Sequence, residues 1–356
     1  MNIGVPKERR PFEFRVGLSP MGVSLLTSAG HTCYVETEAG LGSGFDDEDY
    51  IRAGASIVYS RDEVYGRADT ILKVARPTGD ELQLLAEGQT LLGLLHMSSA
   101  RHEKLDTLVN KRLTTIAYEQ IQLEDGSLPV LKPLSQIGGR MTAQIAAALL
   151  QNNRGGKGVL LGGVAGVPPA EAVILGAGTV GTEAARAFQA LGAHVTLLDR
   201  DLARLQQAEN RCDGRPTTLV SYPFNIERVC RYADVLVGAV LQPGERAPLL
   251  VPRELVRKMK PRSVIIDLSI DEGGCVETSR PTTHDQPTFL EEGVIHYCVP
   301  NVPGIVARTA THAFLNAAWP YIQLIAENGV DAALEASAAL RRGLVSRAGI
   351  LLTHHG

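Results

Sequence analysis

Short apolar blocks of strand length alternate with amphipathic stretches of helical length along most of the chain. "NIGV" at the start predicts a strand, and "TCYVET", "DTILKV", "QTLLGLL" and "LTTIAY" predict further strands, the last three buried. "SPMGVSLLTSAGH" reads as a helix with Ser19 as N-cap, Pro20 at its first position and Gly30 as its stop. "DDEDYIRAGA", "GDELQLLA" and "SARHEKLDTLVNK" read as further helices. Strands alternating with helices predict parallel βαβ units, so the first part is expected to be a doubly wound α/β layer. Residues 135–153, "SQIGGRMTAQIAAALLQNN", predict a long helix, and "RGGKGVLLGGVAGVPPA" after it suits a hairpin or a crossing. A second α/β pattern opens at Glu171 and includes the strand candidates "ADVLVGAV" and "SVIIDLS". "TATHAFLNAAWPYIQLIAENG" predicts a further long helix, kinked at Pro320. It lies beyond the second pattern and is expected to pack back on the first domain, which makes that domain discontinuous.

Composition narrows the class. A length of 356 residues suits two domains. A formal net charge of −4 lacks the basic excess of a nucleic-acid binder. The longest apolar runs fall far short of the roughly 20 residues that cross a bilayer, so no membrane partner is expected. "MNIGVPKERRPFEFR" has no apolar signal core, which predicts a cytoplasmic protein. The cysteines, Cys33, Cys212, Cys230, Cys275 and Cys298, form no C-x-x-C pair. Neither a disulfide framework nor a metal site is indicated, and the thiols are expected to be buried small hydrophobes.

The most specific motif is "VILGAGTVGTEAARAFQALGAHVTLLD", starting at Val173. Gly176, Gly178 and Gly181 form G-x-G-x-x-G between a predicted strand and a predicted helix. The first glycine permits a tight turn, the second a close approach of backbone to a pyrophosphate, and the third close packing of helix on sheet. The unpaired N–H groups at the helix start, where Thr179 and Val180 stand, face the phosphates. Val180, Ala184, Ala187, Phe188 and Leu191 recur at helical spacing and are expected to cover the sheet. Asp199 ends the next strand, where a carboxylate accepts from the adenosine ribose hydroxyls. It opposes a 2′-phosphate by ~4 kcal/mol per unit charge at about 4 Å and an effective dielectric near 20. The cofactor expected is therefore NAD, with Arg200 able to soften the preference if it turns inward.

Four polar residues stand in apolar or strand-end settings: Arg15, Lys73, His96 and Asp271. Each has a plain structural reading as a surface charge, a snorkelling lysine, a satisfied core histidine or a turn cap. As a set they match a reaction. Two cations clamp a carboxylate, a histidine exchanges a proton with a carbonyl or carbinol oxygen, and an aspartate orients water or an amine.

From residue 1 to about 350 the chain resembles the NAD-dependent alanine dehydrogenase family, a group shared with the NAD-binding part of proton-pumping transhydrogenase. The resemblance is carried by "GVPKE", "FRVGLSP", "LKV", "LLH", "AYE" at Tyr118 and Glu119, "GVLLGGVAGV", "GAVLQPGERAPLLV", "IDLSIDEGGCVETSRPTTHDQPTF" and "HYCVPNVPGIVARTATHAFLNA". It implies two Rossmann-like domains: a substrate domain from residues 1–132 and 306–356, and an inserted NAD-binding domain from 133–305. It implies Arg15 and Lys73 as binders of the substrate carboxylate, and His96 and Asp271 as catalytic residues. Ser135, Asp199, Arg204 and Val240 fall where the family touches NAD. The implied reaction is reversible oxidative deamination of L-alanine to pyruvate and ammonium through an imine, in a homohexamer.

The chain departs from the family pattern at Arg76 in "KVARP", where a carboxylate is usual, and at Leu94, where an aromatic residue is usual. It also departs at Gln136, in place of a carboxylate, and at Val302, in place of methionine. Two other readings follow: a relative acting on another small amino acid or imine, and a transhydrogenase-like NAD-binding subunit without catalysis of its own.

Overall fold

The computed structural model describes residues 1–96, 102–242 and 246–352, and in these the chain forms two units, residues 1–134 with 303–356 and residues 135–302. In chain order the first unit opens with β1 (Asn2–Val5), α1 (Pro20–Ser28), β2 (Thr32–Glu36), α2 (Asp47–Arg52), β3 (Ser56–Val58) and α3 (Arg61–Arg67). It continues with β4 (Thr70–Ala75), α4 (Gly79–Leu84), β5 (Thr90–Leu94), α5 (His102–Asn110) and β6 (Thr114–Ala117). Helix α6 (Lys132–Leu149) leads into the second unit. There follow β7 (Glu171–Leu175), α7 (Thr179–Ala190), β8 (His194–Asp199), α8 (Leu202–Arg211), β9 (Thr217–Val220) and α9 (Pro223–Tyr232). Then come β10 (Val235–Gly238), α10 (Arg253–Val256), β11 (Val264–Asp267), β12 (Thr288–Glu291) and β13 (Val294–Tyr297). The chain returns to the first unit with α11 (Ala307–Ala336), α12 (Ala338–Arg342), β14 (Leu344–Arg347) and β15 (Ile350–Leu351).

The first sheet has the order β3-β2-β1-β4-β5-β6-β14-β15. Its first six strands run parallel, and the last two add antiparallel. Every residue of β4 and β5 is buried, as expected of central strands covered on both faces. Helix α1 starts as the sequence predicts: the Ser19 side chain accepts the Gly22 N–H, and Pro20 stands in the first turn. Residues 99–101 of the predicted helix "SARHEKLDTLVNK" lie outside the described residues.

The second sheet has the order β9-β8-β7-β10-β11-β13-β12, all parallel except β12. In both sheets the first three strands run outward on one side and the next on the other, which is the doubly wound order. Both are α/β layers, as expected.

Four local expectations are corrected. The long helix starts at Lys132 rather than Ser135 and ends at Leu149. Pro133 in its first turn loses no helical hydrogen bond, so it belongs inside the helix. Helix α7 buries Gly181, Ala184, Ala185 and Phe188, whereas Leu191 is 46 % exposed. Leu191 is the C-cap residue, past the end of the helix at Ala190, and α6 packs on the flank that holds Val180 and Glu183. In α11 the backbone leaves helical geometry at Gly329 (φ 76, ψ 163) rather than at Pro320. Lys73 lies within β4 and is fully buried, not at a strand end reaching for water.

Candidate active site

In the first unit the polar groups stand on or after neighbouring strands. Arg15 follows β1, Lys73 lies in β4, His96 is two residues past β5, and Glu119 follows β6. The sheet order places these strands side by side. The Arg15 loop is drawn onto β4 at Gly17, where any Cβ would collide with the Leu72 carbonyl oxygen.

Each predicted cation is held by carboxylates. Glu13 accepts from Arg15 Nε at 2.7 Å and from Nη2 at 2.6 Å, a two-pronged pair with both side chains buried. The Lys73 ammonium lies 2.7 Å from Glu81 and 3.0 Å from Glu8. Burial pulls the ammonium down, but Glu8 and Glu81 outweigh it and leave it above the ordinary lysine value. Burial raises Glu8, and Lys73 only partly offsets that; Glu81, also opposed by burial, ends below the ordinary value because of Lys73. Glu8 also accepts the Val74 N–H at 2.6 Å, where β4 slips register against β5. Glu81 closes a capping box on Thr78 at the start of α4, which fixes its position against Lys73.

His96 is half-buried and carries a positive φ of 43°, a conformation rare for a side chain other than glycine. Glu119 accepts the Leu95 N–H at 3.0 Å and the His96 N–H at 2.6 Å. Arg76 donates to the His96 carbonyl at 3.4 Å. Leu94 and Val302 are buried and Gln136 is half-buried.

In the second unit the glycine turn follows β7. Gly176 has φ 105°, and a Cβ on Gly181 would collide with the Gly176 carbonyl oxygen. Nothing lies within 4 Å of where a Cβ on Gly178 would stand, so backbone is open to a ligand there. Gly178 caps α7, whose first residues are Thr179 and Val180. Asp199 is buried at the end of β8 and accepts the Ala177 N–H at 2.7 Å and the Asp201 N–H at 2.9 Å. The residue that supplies the acidic end thus also fastens the turn. Arg200 is exposed. Arg204, in the first turn of α8, lies 3.7 Å from the capping Asp201. Ser135 is half-buried in α6, and Val240 follows β10 with its N–H donated to Ser269 Oγ at 2.9 Å. These residues fit a dinucleotide: glycine backbone for the pyrophosphate, a helix start, and a buried carboxylate.

Asp271 is exposed on a short 3-10 turn after β11 and does not cap it; Asp267 does. His96 belongs to the first unit and Asp271 to the second. A cleft of about 600 Å³ beside α6 and α7 is lined by Arg140, Arg186, Arg211 and Arg215 and holds none of the predicted site residues.

Glu8, Glu13, Glu81 and Asp267, which hold the site, are not singled out by the sequence, and Glu119 stands there only as part of a resemblance motif. One signal was present. Thr78-x-x-Glu81 is a capping-box pattern, which places Glu81 at a helix start.

Two doubly wound sheets, with polar side chains collected at strand ends and a glycine turn backed by an aspartate, define a dinucleotide-binding α/β enzyme. The chain belongs to the alanine dehydrogenase/PNT family. The family's N-terminal domain matches residues 4–138 and its C-terminal domain residues 142–354. An alanine dehydrogenase of Methanococcus maripaludis is 48 % identical over 345 residues, 97 % of this chain and 92 % of that protein. A solved L-alanine dehydrogenase superposes with a TM-score of 0.94 at 47 % identity, covering 99 % of this chain and 97 % of its own. A transhydrogenase from Sinorhizobium meliloti superposes at 0.83 with 25 % identity, over all of both chains. All five cysteines are free and buried. Among the described residues no helix is long and apolar enough to cross a membrane, and no group of His, Cys, Asp and Glu could hold a metal ion.

Proposed function

We propose that the protein catalyses the reversible, NAD-dependent oxidative deamination of L-alanine to pyruvate and ammonium. The observation that carries this is the set Arg15, Lys73 and His96 on or after three neighbouring strands, in a chain 48 % identical to an alanine dehydrogenase. The first unit is the substrate domain and the second the NAD-binding domain.

Arg15 and Lys73 bind the substrate carboxylate. An ammonium has three donors, and two of those on Lys73 face Glu8 and Glu81, which leaves one direction for the substrate. The backbone at Gly176, Gly178, Thr179, Val180 and Gly181 receives the pyrophosphate, and Asp199 the adenosine ribose. Ser135, Arg204 and Val240 complete the cofactor contacts. When bound, NAD supplies the hydride acceptor for the substrate Cα. His96 then takes a proton from the water oxygen as it adds to the imine carbon and from the carbinol oxygen as that intermediate collapses, and Asp271 orients that water and the leaving amine. Collapse releases ammonium and pyruvate. Holding the partners in near-attack geometry contributes about 7–11 kcal/mol.

The assembly is a homohexamer in the cytoplasm, in keeping with the family resemblance; light scattering on the purified protein tests the copy number. The activity is tested by NADH oxidation with ammonium and a panel of 2-oxo acids. Pyruvate is expected to lead the panel, with His96→Ala lowering turnover about 10²- to 10⁴-fold. Turnover with a larger or diacidic oxo acid in preference to pyruvate assigns Arg76, Leu94 and Val302 to substrate choice. Binding of NADH without turnover of any acid favours a transhydrogenase-like subunit.

A further inference from the structure

Asp267 ends β11 and is fully buried. Its carboxylate gathers both ends of the segment that follows. Oδ1 accepts the Ser269 N–H at 3.1 Å, while Oδ2 accepts the Cys275 N–H at 3.0 Å and the Val276 N–H at 3.3 Å. Between these anchors the chain passes through the 3-10 turn Leu268–Glu272, which carries Asp271, and then through Gly273 and Gly274 at φ 97° and 81°. Ser269 reaches back from this segment to accept the Val240 N–H at 2.9 Å. The fit is close: a Cβ on Gly238 would stand 2.5 Å from the Cys275 sulfur and 2.7 Å from Asp267 Oδ1.

Burying a carboxylate is costly unless its oxygens are satisfied. Here the donors are chiefly N–H groups and a thiol of the segment that carries Asp271, rather than a cation. A neutral side chain would fill the space without that cost, but would leave both ends of the segment unfastened. We propose that Asp267 is a positioning residue for the reaction. It fixes residues 268–276 so that Asp271 meets the substrate, and it touches neither substrate nor cofactor. This rests on the catalytic reading of Asp271 given above.

The test is a double-mutant cycle of Asp267→Asn and Asp271→Asn, each scored by kcat, by KM for NADH and by thermal melting. Asparagine keeps the shape but turns one oxygen into a donor that opposes the loop N–H groups. Alone, Asp267→Asn is expected to lower kcat about 10- to 100-fold, the scale of an ångström-sized misplacement. KM for NADH is expected to change less than kcat, since the pyrophosphate turn lies on another strand and only Val240 is tied to the loosened segment, through Ser269. In the Asp271→Asn background the same substitution should cost nothing more, because the two act through one group. Full additivity of the two losses, or an unchanged kcat in Asp267→Asn, overturns the proposal. Unchanged kcat in Asp271→Asn alone overturns the reading of Asp271 and the proposal with it, and is seen without any change at Asp267. If Asp267→Asn does not melt cooperatively, Asp267→Ser, which keeps one acceptor oxygen, runs the same cycle.

Discussion

Lys73 is fully buried, its ammonium set between Glu8 and Glu81. Taking out one member of such a group strands the others in a poorly solvated site. Lys73→Met is therefore expected to abolish substrate binding and to cost about 3–5 kcal/mol of stability in urea unfolding. The pH dependence follows from the directions of the shifts. Glu81 lies below the ordinary glutamate value of 4.5, so its contribution is present above that pH and is lost as the pH falls through its lower folded value. Lys73 lies above 10.5, so its contribution is present below that pH and is lost as the pH rises through its higher folded value. Glu8, raised by burial, works in the opposite sense, since its protonation relieves a buried charge. Unfolding midpoints measured against pH should fall at the acid end, and less steeply in Glu81→Gln. Asp199 carries a second prediction. Asp199→Ala removes the charge that opposes a 2′-phosphate and should raise the NADP-to-NAD ratio of kcat/KM. It also frees the Ala177 N–H, so kcat/KM for NAD itself should drop.

At the scale of elements, what could be read from the sequence was whatever rests on local chemistry. Ser19 and Pro20 announced α1, and the glycine turn with Asp199 announced the unit β7–α7–β8. Tertiary neighbours decided the remainder. Leu191 fits a helical stripe by spacing, yet the helix ends at Ala190 and leaves it at the C-cap, while Ala185 is buried. Pro320 is a helix breaker by local rule, yet the helix runs through it and breaks at Gly329, which alone has a positive φ there. Lys73 and Arg15 were legible as candidates because charges are unusual in such surroundings. Their carboxylate partners were not, because Glu8, Glu13 and Glu81 look like ordinary surface residues until the sheet brings them together. The glycine turn gives a prediction of its own. Gly181→Val places side-chain atoms against the Gly176 carbonyl and should weaken NADH binding at least about tenfold by fluorescence titration, through strain at a close backbone approach.

The first unit is completed where the chain returns to it after Val302. In the first unit α11 packs on what the opening residues build: Thr311 lies 2.8 Å from Ser43 Oγ, and Phe314 meets the Tyr118 ring edge-on. Strand β14 then pairs with β6 and completes the sheet. A chain stopped after Val302 should therefore lose the cooperative thermal transition of the first unit, as followed by circular dichroism. That architecture explains why the nucleotide motif comes so late in the sequence: residues 135–302 form a unit set into another. The most direct test of the account is to incubate the protein with NAD and L-alanine deuterated at Cα, and to weigh the products by mass spectrometry. The account predicts pyruvate, ammonium and NADH in equal amounts, with the deuterium on the nicotinamide and the initial rate lowered about 10²- to 10⁴-fold in His96→Ala. Deuterium found in water, or no NADH formed by the wild-type protein, would contradict it.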